Sequence, residues 1–199
     1  MKITVEMVKE LRNETGAGVM EAKKALEDAG GDFEVAATAL RAKGASEAAD
    51  RSDREAREGV VENYAHPGSR VGVMVELNCE TDFVARNENF QSLAHNLALH
   101  VAAMQPRYLG IDDIPQDVLD RETAMIRDQA LTEGKPADIV EKIISGRMSK
   151  FYEEYCLLEQ PFVKDDAVKV QDLVTEAIRM MGENIIIRRF VRYELGEDL

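Results

Sequence analysis

The sequence predicts an α+β protein: three short N-terminal helices, then a core in which a small antiparallel sheet is covered by helices. Three observations carry that expectation. Apolar residues recur at helical spacing through the first 44 positions, and Val71, Val73, Val75 and Leu77 alternate with period two. The next β-like run, Ile185-Ile186-Ile187 with Phe190, comes only near the C-terminus, after a long helical stretch.

Thr4 is placed to cap a first helix carrying Val5, Val8 and Leu11, and Thr15-Gly16-Ala17-Gly18 breaks its pattern. Val19, Ala22, Ala25, Leu26 and Ala29 form a second apolar stripe, ended by Gly30-Gly31. Asp32 is placed to cap a third helix with Phe33, Ala36, Ala37 and Leu40, expected to stop at Gly44. Residues 1–44 therefore read as a compact three-helix module, near the lower size limit of an independent fold. Over 45–58, mixed charges crowd together (Asp50, Arg51, Asp53, Arg54, Glu55, Arg57, Glu58), which describes a solvated helical connector better than a binding cluster.

Residues 59–199 read as the core domain. Val60, Val61 and Tyr64 suggest a strand, His66-Pro67-Gly68-Ser69 a turn, and 71–77 the return strand of a hairpin with one buried face. Helical spacing resumes with Phe90, Leu93, Ala94, Leu97, Ala98 and Val101 and stops before Pro106. Pro115 and Pro136 sit where first helical turns begin. The helices after them carry Val118, Met125 and Ile126, then Ile139, Val140, Ile143, Ile144, Met148, Phe151 and Tyr152. A last helix with Val170, Leu173, Val174, Ala177, Ile178 and Met181 ends at Gly182, and residues 184–193 read as a strand.

Hydrophobic residues make up 45% and charged residues 32% of the 199, a globular rather than a disordered composition. No apolar run is long enough for a bilayer, and Met1-Lys2-Ile3-Thr4 leads straight into an amphipathic pattern without a signal-peptide core. A cytoplasmic chain with no membrane partner is expected. The net charge of −13 and pI of about 4.8 repel phosphate backbones, so direct nucleic-acid binding is not expected either. An acidic surface suits a protein partner or plain solubility, and charge alone does not separate the two. Cys79 and Cys156 stand far apart and outside any CxxC arrangement. A reducing compartment makes them two buried free thiols; a disulfide within or between chains is the alternative.

The sequence carries no recognisable catalytic constellation. His95 and His100, two of three histidines, are five positions apart rather than four, so they do not share a helix face as a metal pair. HExxH, a P-loop, a Rossmann glycine fingerprint and GxSxG do not occur. Thr15-Gly16-Ala17-Gly18 follows a helix and lacks the lysine-hydroxyl ending of a phosphate loop, so it reads as an interhelical turn. Cys79, His66 and Asp82 can be drawn as nucleophile, base and orienter, but Cys79 ends an apolar strand, where a thiol is ordinarily buried and inert. No catalytic residue, metal ligand set or cofactor is expected. Met20, Met180 and Met181, among nine methionines, lie on or near apolar stripes and serve as core filling, or on an exposed module as adaptable contacts. Two other readings stay open: an adaptor whose three-helix module binds ubiquitin-like folds or peptides, and a hydrolase built on Cys79.

The run Leu77-Asn78-Cys79-Glu80-Thr81-Asp82-Phe83-Val84-Ala85-Arg86-Asn87 joins a strand to a helix and sets an acid beside an aromatic. Read locally, Thr81 or Asp82 is an N-cap and Phe83 tucks under the following helix as a staple. This run, with Val8-Lys9-Glu10-Leu11-Arg12, Thr15 to Met20, Lys23-Lys24-Ala25-Leu26, Leu157-Leu158-Glu159-Gln160-Pro161-Phe162, Gly182-Glu183-Asn184 and Arg188-Arg189-Phe190-Val191-Arg192, resembles the elongation factor Ts family over essentially the whole chain. The motifs occur in the family's order, and together they are highly specific.

The resemblance implies a ubiquitin-associated-type N-terminal domain and an exchange factor that makes and breaks no bond. Its partner would be elongation factor Tu, GDP-bound and nucleotide-free. Thr81, Asp82, Phe83 and Val84 would press on the GTPase domain and disturb its magnesium site, while Arg12, Val19 and Met20 would dock the N-terminal domain on the same partner. Ala22 stands where many members have cysteine, a change that suits the same packed face. Longer members carry two core copies and an inserted coiled-coil hairpin; here one core copy is expected, with no room for the rest. Short members pair so that a second chain supplies the missing half, which implies a homodimer.

Overall fold

The computed structural model describes residues 3–197. By its internal contacts the chain divides into two units. One holds the N-terminal part up to Val60 with Leu77–Gln91 and Asp172–Ile186; the other holds Val61–Glu76, Ser92–Gln171 and the chain from Ile187 onward.

The first unit opens with three helices, each started by a local cap. Helix α1 (Val5–Thr15) begins where the Thr4 hydroxyl accepts the Met7 N–H at 3.2 Å, and it ends at Gly16, whose φ of 60° favours a residue without a Cβ. Helix α2 (Val19–Asp28) starts after Gly18, whose N–H donates to the Glu21 carboxylate at 3.2 Å. Helix α3 (Phe33–Ala49) is capped by the Asp32 carboxylate, which accepts the Val35 N–H at 3.1 Å. Leu11, Ala22, Leu26, Ala36 and Ala37 are fully buried between these helices, with the small alanines allowing close approach. The expected stop at Gly44 is corrected: α3 runs five residues further, to Ala49. Gly44 is a buried packing position, where a Cβ would come within 3.3 Å of the Arg179 side chain. A glycine inside a helix costs about 1 kcal/mol against alanine, and the alanines around it outweigh that. The connector is thus helical to Ala49 and turns through 50–54.

Strands β1 (Glu58–Ala65) and β2 (Val71–Cys79) form the predicted hairpin around the turn at 66–70. Gly59 is needed there, since its φ is 146° and a Cβ would overlap the Leu77 carbonyl. Val73, Val75, Leu77 and Cys79 are buried and Met74 is exposed, the alternation expected of a sheet covered on one face. A four-residue helix α4 (Asp82–Ala85) leads into α5 (Glu88–Met104).

Helices α6 (Gln116–Thr132) and α7 (Ala137–Tyr155) pack against each other as a helical hairpin with a cluster of its own: Ile126, Ala130, Val140, Ile144 and Met148. These are the two helices expected after Pro115 and Pro136. Pro115 and Pro136 stand at the N-cap positions, one residue before these helices. A two-stranded antiparallel ribbon, β3 (Pro161–Phe162) with β4 (Asp165–Lys169), was not foreseen. Helix α8 (Val170–Met181) stops at Gly182, and β5 (Ile186–Glu194) completes a three-stranded sheet of order β1-β2-β5. The α+β class, three helices and then a small antiparallel sheet packed with helices, is the one expected. Among the described residues, no helix is long and apolar enough to cross a membrane.

Candidate functional site

Between the end of β2 and the start of α4 only Glu80 and Thr81 intervene, and their backbone is tied down by a distant carboxylate. Glu183 Oε2 accepts the N–H of Glu80 at 3.1 Å and of Thr81 at 3.0 Å, while its Oε1 accepts the Thr81 hydroxyl at 2.6 Å. Thr81, held extended at φ −128°, accepts the Val84 N–H at 3.4 Å and so caps α4. Glu80 reciprocates by accepting the Asn184 N–H at 2.6 Å. Asn184, 3% exposed, donates its amide to the carbonyls of Arg54 at 2.8 Å and Ser52 at 3.3 Å. These bonds tie the turn to two distant segments of the chain, which leaves it little freedom to rearrange.

On this fixed turn Asp82 and Phe83 face outward. Asp82 pairs with Arg86 at 3.0 Å and keeps about half of its side chain in solvent. Phe83 is 82% exposed, so the local reading in which it tucks under the next helix is corrected. Leaving such a ring in water forgoes roughly 2 kcal/mol of burial. Val84 is half-buried and Ala85 buried, anchoring the far side of α4.

A second exposed group sits on the helical module. Arg12 is in the last turn of α1, one turn before Gly16, and Val19 and Met20 directly follow Gly18. The short interhelical turn gathers these three at one end of the module. Val19 is 58% and Met20 74% exposed, so neither belongs to the helical core.

The residues that invited a hydrolytic reading each have another partner. The Cys79 thiol is buried and pushed up to about 11, first by desolvation and then by the neighbouring Glu183 carboxylate. Its Sγ–H donates to the Thr81 carbonyl at 3.2 Å. His66 exchanges its hydrogen bond with the Tyr64 hydroxyl, and Asp82 is engaged with Arg86. Cys156 is likewise a buried free thiol raised to about 11 by burial. His95 meets Glu62 at 2.9 Å, whereas His100 is buried against Gln160. Among the described residues no cluster of histidine, cysteine and carboxylate side chains is arranged to hold a metal ion.

Glu183, Glu80 and Asn184 were not among the expected site residues. Glu183 lies 102 positions from Thr81, so no local spacing relates them. The one available signal was an acid and an amide placed between a helix stop and an apolar strand.

The chain matches the protein-family model described as Elongation factor TS over residues 6–197. It is 56% identical to Elongation factor Ts of Carboxydothermus hydrogenoformans over 197 residues, covering 99% of this chain and 91% of that one. It is 56% identical to the protein of the same name from Moorella thermoacetica over 192 residues, 96% of this chain and 95% of the relative. Elongation factor Ts of Desulforamulus reducens is 52% identical over 198 residues, 100% of this chain and 91% of its own.

Proposed function

Since the chain belongs to the elongation factor Ts family, whose members are nucleotide exchange factors for elongation factor Tu, we propose that it uses the exposed pair Asp82-Phe83 to loosen GDP from that partner. The observation that carries this reading is Phe83, 82% exposed on a turn that three hydrogen bonds tie to Glu183. A rigid protrusion of that kind loses little conformational entropy on binding. Phe83 inserts as the anchor of the contact, because a buried aromatic supplies a large share of an interface's energy. Asp82 brings a carboxylate toward the partner's magnesium and phosphate groups and disfavours the arrangement that retains them. Thr81 and Val84 hold the geometry of the turn. The N-terminal module, about residues 1–44, docks on the same partner through Arg12, Val19 and Met20, while residues 59–199 present the turn and carry self-association.

No bond is made or broken in this scheme. The factor binds the nucleotide-free partner better than the GDP-bound one, and by reciprocity it weakens GDP binding by the same factor. The reaction takes place in the cytoplasm, without nucleic acid or membrane as direct partners. Two copies pair through the sheet: Val61, Met74, Val191 and Tyr193 are all exposed and in antiphase to Glu62 and Arg192, which meet α5 through His95 and the Ala102 carbonyl.

Replacing both Asp82 and Phe83 by alanine leaves the melting temperature nearly unchanged, since neither side chain is in the core. Release of a fluorescent GDP analogue from elongation factor Tu, followed by stopped flow, then slows at least about 30-fold, the loss of one interface hot spot. An unchanged rate refutes the role given to this turn.

A further inference from the structure

The two surfaces proposed above are held by helix α8 and by Glu183 just beyond its stop at Gly182. Helix α8 reaches the helical module through Arg179, whose side chain is only 11% exposed. Its guanidinium donates to the Thr15 carbonyl at 2.7 Å, the last residue of α1, and pairs with Glu21 in the first turn of α2 at 3.6 Å. Glu176, one turn earlier on α8, holds the same guanidinium through bonds of 2.8 and 3.1 Å. Gly16 lies against this pair so closely that a Cβ there would overlap the Glu176 carboxylate. Gly44 of α3 leaves room for the aliphatic stem of Arg179. Four residues beyond Arg179, Glu183 takes its three hydrogen bonds from the turn that carries Asp82 and Phe83.

We infer that α8 and the residue just past its stop form a brace: Arg179 and Glu183, as positioning residues, set the spacing between the docking end at Arg12, Val19 and Met20 and the protruding turn at 81–84. The inference rests on the exchange reading for what the two surfaces bind, and on the hydrogen bonds alone for the brace itself. Both surfaces belong to one compact unit of the chain, which also contains the whole of this bonding network. A partner gripped at two places gains from the second grip only if the spacing fits, because a loosened connection dilutes the second contact's effective concentration. Arginine suits the post at Thr15, since its planar fork reaches the carbonyl and two carboxylates together, which a lysine ammonium on a flexible stem does not reproduce.

The test uses the full chain with spin labels on cysteines placed by Asn13→Cys and Asn89→Cys; the native thiols are buried and do not compete. Pulsed dipolar spectroscopy reads the distance between the labels with the brace intact and after Arg179→Ala. Gly16→Asn attacks the same contact from the other side, with the side chain that best tolerates the left-handed backbone there. GDP release from elongation factor Tu is measured against factor concentration for each. The expected result is a broadened distance distribution in both variants, with the half-saturating concentration raised at least about tenfold and the maximal rate retained. Glu183→Gln, at the other end of the brace, also broadens the distances, and it lowers the maximal rate as well because it disturbs the turn itself. An unchanged distance distribution overturns the brace, as does a broadened one with an unchanged half-saturating concentration. If the unaltered chain releases no GDP at all, the exchange reading fails, and the distances still decide whether α8 braces the module.

Discussion

At the scale of single residues, burial disfavours charge on the few titratable side chains the molecule encloses. His100 is the sharpest case. It is fully buried; its Nδ1 accepts the Val163 N–H at 3.1 Å, so the proton sits on Nε2 and is donated to Gln160 Oε1 at 2.9 Å. Gln160 in turn donates to the Glu154 and Met104 carbonyls at 2.7 and 3.3 Å, which leaves no acceptor for a second imidazole proton. Burial lowers the His100 pKa below its ordinary 6.5, against a smaller upward pull from the Gln160 bond. The unfolded chain therefore binds the proton more readily than the folded one. The resulting stability is fully present above pH 6.5 and is lost as the pH falls below that value toward the folded pKa. Urea unfolding at pH 7 and about pH 5.5 checks this, since the window lies mostly above the carboxylate range. His100→Gln keeps a donor and an acceptor but cannot charge, so its loss of stability between the two pH values is smaller. Equal losses in the two proteins would show that His100 protonates freely in the fold.

Elements differ in what supports them. Hairpin α6–α7 draws on its own cluster, in which Ile126 is 2% and Ala130 2% exposed. Ile126→Ala removes buried methylenes at a cost of about 2–5 kcal/mol. Because the cluster is separate, that cost falls on local opening: hydrogen exchange accelerates at amides of α6 and α7, while those of β2 keep their protection. Equal acceleration throughout would show the hairpin to be part of one cooperative core. The same contrast in support explains which elements were legible. Helices α1, α2, α5, α6, α7 and α8 carry long apolar stripes or local caps, and β2 a clean alternation, so their periodicity spoke for them. Helix α3 was cut short because Gly44 looks like a stop, whereas its lack of a side chain serves Arg179, 135 positions away. The ribbon β3–β4 spans too few residues, with Asp165-Asp166-Ala167-Val168-Lys169 mostly exposed, to show any period. At the site, the Thr81 cap was readable from its neighbours. The outward placement of Phe83 was not, because it depends on Glu183 holding the turn from beyond α8.

For the whole molecule, charge and exposed apolar surface pull in opposite directions. A net charge of −13 makes two copies repel, while the open sheet face offers Val61, Met74, Val191 and Tyr193, the last 68% exposed. The Glu76–Arg189 ion pair, 2.7 Å long, lies on the strands beside them and neutralises its own part of the face. Apolar burial does not depend on screening, whereas repulsion between the copies weakens as the Debye length shrinks from about 30 Å at 0.01 M salt to about 8 Å at 0.15 M. If the copies pair through this face, association tightens with salt, opposite to an interface held by ion pairs. Sedimentation velocity at a few protein concentrations and two salt concentrations reads this directly. A dimer is expected at 0.15 M salt, with more monomer at 0.01 M. Met74→Glu with Tyr193→Glu puts two more carboxylates on each face and yields monomer under both conditions, with the fold retained because both side chains are already exposed. A dimer that survives this double substitution is built on some other surface, and a wild-type chain that stays monomeric at every concentration removes the sheet face as an interface. Phe83 separates this contact from the exchange site proposed above: it lies on the 81–84 turn and not on the sheet face, so Phe83→Ala leaves the dimer unaffected while slowing GDP release. A Phe83→Ala variant that loses both at once would mean that one surface serves both purposes.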